Sequence, residues 1–246
     1  MTIDQIIALA ASVGACMAAI ATFLTVLQIS KQRKATYRPQ LALSRVMFEG
    51  SNDATTNEKL PSLWTHRQNS AATKDTADNH FGFFSVPLAN IGLGAAKNVT
   101  ISWTFPLGEL VGELNKRAQR TLTPAYFTLE NGIFSLKSEK FGQWSSMWTN
   151  QQKDSIDYLL SASIQSEAFM LRLPHAYIAS VSSMLALGFG EAKESFPEIP
   201  NLTARFEYSD IADDVHEAVF EIEFHLVMIG NSGQTISGYL EFKKRA

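Results

Sequence analysis

Cysteine is nearly missing from this chain: Cys16 is the single thiol among 246 residues. An intrachain disulfide and a cysteine-based zinc cluster are therefore both excluded. Charge is also scarce. Asp, Glu, Lys and Arg make up 18% of the residues, below the quarter or so of an ordinary globular chain, as a membrane segment would cause. Basic residues are not in excess. The formal net charge is −3, which excludes a polybasic nucleic-acid binder. No Walker-type lysine loop, no Gly-x-Ser-x-Gly elbow and no His-Glu-x-x-His pair occurs. Gly92 and Gly94 follow a strand pattern, but the third glycine and the helix of a dinucleotide loop are missing. Without a helix N-terminus there is no dipole to hold a pyrophosphate, so the pair reads as a hairpin turn.

The strongest positive signal is at the start. Residues 5–30 carry no charge, and residues 6–27 are apolar apart from Ser12, Thr22 and Thr25. About 20 apolar residues suffice for a helix to cross a hydrocarbon core of about 30 Å. A cleaved signal peptide wants positive charge before a shorter apolar stretch. Here Asp4 precedes the run, and Lys31, Arg33, Lys34 and Arg38 follow it. Cations beside a membrane segment stay on the cytoplasmic side. The expectation is an uncleaved single-pass anchor over residues 1–30, a basic collar over 31–40, the N-terminus outside and residues 41–246 in the cytoplasm. The collar fixes topology or touches anionic headgroups. Ala10, Gly14, Ala18 and Thr22 place small residues every fourth position, a spacing that lets two membrane helices approach closely. The expected partners are therefore the lipid bilayer and a protein, a second copy included.

Beyond the collar the balance turns acidic. Taking the four collar cations from the 21 Lys and Arg, and Asp4 from the 24 Asp and Glu, leaves residues 39–246 at net −6. Phosphate backbones repel such a domain, so no nucleic acid is expected. Residues 41–48 and 81–91 read as strands. Between them, 50–80 is a long polar stretch, either a lid or a disordered insertion. Val99, Ile101, Trp103 and Phe105 alternate with Thr100, Ser102 and Thr104, the period of a strand with one buried face. Residues 109–119 suggest a helix, and 126–136 a hairpin about Asn131 and Gly132. Residues 154–160 and 175–187 suggest helices, the second opened by Pro174. Leu202, Ala204, Phe206 and Tyr208 alternate again. A following strand buries Ala218, Phe220, Ile222, Phe224 and Leu226, and the turn at Asn231, Ser232 and Gly233 leads into a last strand over 235–242. The expected fold is an N-terminal transmembrane helix plus a mainly β, antiparallel sandwich-like domain decorated with a few helices.

The segment Leu88-Ala89-Asn90-Ile91-Gly92-Leu93-Gly94-Ala95-Ala96-Lys97-Asn98-Val99 resembles one found in uncharacterised bacterial single-pass membrane proteins. Those carry an N-terminal anchor, a basic collar ending near a proline and a β-rich soluble domain. Tyr208-Ser209-Asp210-Ile211, before a long strand, resembles them as well. The resemblance covers the whole layout and implies a bacterial inner-membrane protein. Its motifs are structural and imply no reaction.

Chemistry is hard to find among the five histidines. Glu221, Glu223 and His225 stand at alternate positions and share a strand face, a set that can hold zinc or iron in principle. An ordinary solvent-facing strand surface explains them equally, and no cofactor is expected. Asp210, Asp213, Asp214 and Glu217 lack the spacing of a calcium loop and read as a polar turn. Phe141, Trp144 and Trp148 fall at helical spacing among polar residues. They form either a partner surface or the packed face of a short amphipathic helix. The lysines and arginine at 243–245 read as a solvated tail. The resulting expectation is a membrane-tethered, non-catalytic scaffold or accessory module. The alternatives are a ligand sensor with residues 50–80 as its lid, and a hydrolase or metalloenzyme using dispersed His and acidic groups.

Overall fold

One helix, α1 (Ile3–Thr36), takes up the whole apolar run and continues through most of the collar. Every described side chain along it is exposed. It is apolar and long enough to span a membrane. It ends at Tyr37, whose amide donates to the Arg33 carbonyl. Pro39 disfavours helical geometry at the residue before it, which stops the helix there. The computed structural model describes residues 2–52, 60–67, 84–148, 154–165, 167–190, 198–230 and 234–245.

The rest is mainly β, with 45% of the chain in strand and 30% in helix. Among the described residues, thirteen strands follow α1: β1 (Leu41–Leu43), β2 (Val46–Ser51), β3 (Leu63–His66), β4 (Ser85–Asn90), β5 (Ala96–Thr104), β6 (Ala125–Glu130), β7 (Ile133–Ser138), β8 (Gly142–Met147), β9 (Asp154–Leu159), β10 (Phe169–Arg172), β11 (Leu202–Ser209), β12 (Val215–Gly230) and β13 (Thr235–Lys244). Two further helices interrupt them, α2 (Leu107–Arg120) and α3 (His175–Gly190). The strands form a seven-stranded sheet, β3-β2-β13-β12-β11-β5-β9, and two three-stranded sheets, β1-β4-β10 and β6-β7-β8. All ladders are antiparallel.

The core lies between the large sheet, the β1-β4-β10 sheet and α3. Phe48 of β2 stacks on Trp64 of β3 at 4.2 Å, and Phe84 meets both edge-on. Tyr177 of α3 packs edge-on against Trp64 and against Phe105. Alternation on β5 and β11 is as expected: Val99, Ile101, Trp103, Leu202, Ala204, Phe206 and Tyr208 are all buried. On β12, Ala218, Phe220 and Ile222 are buried, while Phe224 and Leu226 pack at the margin. Leu107, Leu110, Leu114 and Ala118 are the buried stripe of α2. The β6–β7 hairpin turns at Asn131 (φ 51°) and Gly132 (φ 74°), the left-handed pair that a tight hairpin needs.

Several elements differ from expectation. Residues 41–48 are two strands in two sheets, because the chain crosses between layers at Ser44 and Arg45. The Gly92–Gly94 turn is no hairpin. β4 pairs with β1 and β10, and β5 pairs with β11 and β9, so the turn carries the chain from one sheet to the other. Residues 154–160 hold the edge strand β9 rather than a helix. Its buried residues, Ile156 and Leu159, are three apart, as on a helix. That spacing mirrors Ala96 and Val99 across the ladder, where Asn98 adopts φ 51° and breaks the alternation. Within 50–80, β3 is an edge strand anchored by the buried Trp64 and by Leu60 before it. The rest of the expected lid or insertion, at 53–59 and 68–80, lies outside the described residues, as does the turn at Asn231, Ser232 and Gly233.

Candidate functional site

Among the described residues, a dense set of close contacts and hydrogen bonds lies where the chain leaves α1 and enters the domain. Residues 37–40 lie directly on the turn between β4 and β5. A methyl group on Gly94 would overlap the Tyr37 carbonyl, and one on Gly92 would overlap the Arg38 carbonyl and the Gln40 amide. Neither glycine has a positive φ. They are needed because another backbone comes so close.

Asn90, 1% exposed, binds the two segments together. Its side-chain oxygen accepts from the Gln40 amide at 3.0 Å and the Gly92 amide at 3.1 Å. Its NH2 donates to the carbonyls of Gly94 (2.7 Å) and Leu159 (3.2 Å). The Ile91 amide donates to the Gln40 carbonyl, and the Tyr208 hydroxyl donates to that of Pro39. A fully satisfied buried amide of this kind fixes its neighbours in one arrangement.

Beside this seat lies the 210–214 turn. The Asp210 carboxylate accepts from the amides of Ala212 (2.8 Å) and Asp214 (3.0 Å) and lies 3.0 Å from His216 Nε2. Burial pushes this carboxyl up. The hydrogen bonds from His216, Ala212 and Asp214 together outweigh that and hold it below its usual value. The turn's other two aspartates face cations, Lys97 to Asp213 at 2.7 Å and Lys34 of α1 to Asp214 at 3.3 Å. The Lys34 pair is exposed on both sides and contributes little energy. It does locate the turn against the last turns of α1.

The expected site residues fall in different places. Ala10, Gly14, Ala18 and Thr22 are exposed on α1, and Thr22 Oγ1 donates back to the Ala18 carbonyl. Of the collar, Lys31, Arg33 and Lys34 are helical, while Arg38 follows the helix and lies near Tyr208.

Phe141, Trp144 and Trp148 are not on a helix and do not form an exposed stripe. They are 5%, 9% and 8% exposed, with Trp144 inside β8 and the other two flanking it. Trp144 packs on Phe134 and His175, and Trp148 on Phe105. Their spacing of three and four mimics a helix because the outer two lie beyond the strand ends, where alternation no longer holds.

The expected metal set also changes. Glu221 is paired with Arg245. Glu223 and His225 instead converge with Glu241 of β13, their ligand-type atoms all within 4.8 Å of one another. His225 Nε2 is 3.5 Å from Glu223 and 3.4 Å from Glu241, and its ring stacks on Tyr239. Lys243 Nζ is 2.7 Å from both oxygens of Glu223 and holds that carboxyl below its usual range against the opposing effect of burial. A cation is thus already supplied to this cluster by the chain. Lys243 and Arg245 are accordingly ladder-side partners of β12, not a free tail. A hollow of about 490 Å³ opens beside β3, lined by Arg45, Met47, His66, Arg67, Pro87 and Met170.

The seat of residues 37–40 was missed in the sequence, although Gly92 and Gly94 signalled it. Comparison with protein-family models, with curated proteins and with solved structures gives no match.

Proposed function

We propose that the chain is a single-pass protein of a bacterial inner membrane. Its domain acts on the cytoplasmic face as a non-catalytic scaffold or accessory module for a protein partner. The observation that carries this reading is the seat of residues 37–40 on Asn90, Gly92 and Gly94. A domain that needs only to stay near the membrane is served by a flexible tether. Here the segment that leaves the helix is seated on the domain within four residues of the helix end, which suits a module that presents a surface in a set orientation. The cations after the apolar run support the cytoplasmic placement. The likeness in layout to single-pass bacterial proteins agrees with it.

The test is an affinity pull-down from gently solubilised membranes, comparing the native chain with one carrying a Gly-Ser insertion between Arg38 and Pro39. A stoichiometric partner is expected with the native chain and is expected to be depleted with the insertion, while circular dichroism stays unchanged. Equal recovery from both, or no partner from either, overturns the reading. A ligand-sensing role is the second reading, favoured by the hollow beside β3.

A further inference from the structure

Large apolar side chains are exposed on several loops that converge on the anchor's exit. Ile91 is 62% exposed and Leu93 51%, both on the turn beneath residues 37–40. Ile211 (60%) lies within the aspartate turn that reaches Lys34, and Val215 (78%) follows it directly. Ile164 (73%) belongs to a turn held to Asn90 through the Ala162 amide. Tyr158 (66%) is paired across the ladder with Lys97, the residue bound to Asp213. A single exposed apolar residue is ordinary. Here three loops and a strand end from distant parts of the chain bring six to one place.

Their depth follows from α1. The uncharged run ends at Ser30, and Lys34 lies roughly 6 Å further along the helix axis. The headgroup layer on each side of the hydrocarbon core is about 5–8 Å thick. The turn that meets Lys34 therefore stands at the edge of that layer. Its charges suit the place: Asp213 and Asp214 face lysines, and Asp210 faces His216. The acidic balance of the domain as a whole is thus not presented as free carboxylates by this turn. Isoleucine, leucine and tyrosine around a lysine-bearing exit are the side chains that favour a membrane interface.

We propose that these loop tips rest in the lipid headgroup layer, so that the bilayer covers them. The inference rests on the anchored reading above and adds a second, domain-borne contact to it. The observations favour lipid over protein because the covered face surrounds the point where the chain enters the membrane.

The test uses the full chain in vesicles of phosphatidylethanolamine and phosphatidylglycerol containing nitroxide-labelled lipid. A fluorophore is placed on Cys16 in the native chain, and at Leu93→Cys, Ile211→Cys and Met228→Cys in a Cys16→Ser background, before reconstitution. Met228 is 58% exposed on the same strand as Val215, and its 13-residue separation puts it roughly 40 Å away. Quenching at positions 93 and 211 is expected to exceed that at 228 several-fold, with position 16 also quenched. Quenching at 16 but not at 93 and 211 overturns the lipid contact, leaves the anchor standing and frees this face for a protein. No quenching at 16 overturns the anchored reading, and the lipid contact with it.

Discussion

Asn90 and Gly94 show how much a single position carries at the seat. Adding one methyl group at Gly94 forces it into the Tyr37 carbonyl. The Gly94→Ala variant is expected to lose about 1–3 kcal/mol in urea denaturation, the usual cost of overpacking, and to expose the bond after Tyr37 to chymotrypsin. Unchanged stability together with unchanged cleavage would show that residues 37–40 do not sit where described. Asp210 sets a pH dependence. Its carboxyl is held below 3.8 in the folded state, so the folded protein binds this proton more weakly than the unfolded chain does. The stability it contributes is fully present above pH 3.8 and is lost as pH falls through the folded-state value. Asp210→Asn is expected to be less stable at neutral pH and to lose less below pH 3.8, as read by urea melts across the acid range. The glycine pair and the aspartates were visible in the sequence, but their purpose was not. The carbonyls that exclude a side chain at Gly92 and Gly94 come from residues some 50 positions earlier, and no local pattern reports that.

Strand β3 is held at the sheet edge by one buried residue. Trp64 donates from Nε1 to the Pro61 carbonyl and to Ser182 Oγ of α3, and Ser182 donates in turn to Pro61. Two residues along the strand, beyond Thr65, His66 stacks on Phe84 at 4.8 Å. Burial pushes its imidazole below 6.5, with a backbone hydrogen bond at Ser85 partly opposing. The unfolded chain therefore takes up the proton first as pH falls. The contribution of neutral His66 is complete above pH 6.5 and declines as pH drops through the folded-state value. His66→Phe keeps an aromatic ring on Phe84 and removes the titration. It is expected to shrink the stability difference between about pH 7 and about pH 5.5 in urea melts; an equal difference in variant and native chain would assign the effect elsewhere. Elements with unbroken alternation, such as β5 beyond Val99 and β11, were legible because their periodicity is local. β9 and β8 were not, since a left-handed Asn98 and strand ends that stop short of Phe141 and Trp148 give spacings that belong to helices.

At the scale of the whole molecule, the layout of one apolar helix and one mainly β domain was readable from hydropathy and alternation. Sheet order was not. β2 lies between β3 and β13, and β13 is joined to it by nothing nearer than the far end of the chain. Such pairings are set by the packing of the finished core. If α1 crosses a bilayer as proposed, the joint between helix and domain has a further consequence. The uncharged run of residues 5–30 would extend roughly 39 Å as a straight helix, longer than a hydrocarbon core of about 30 Å, and an over-long helix adjusts by leaning. The Gln40 amide is bonded to Asn90, and the Tyr37 carbonyl lies close against Gly94, so a lean of the helix would be passed on to the domain. A thinner or thicker bilayer would then change the angle at which the domain faces its surroundings, making membrane thickness a quantity this protein can respond to.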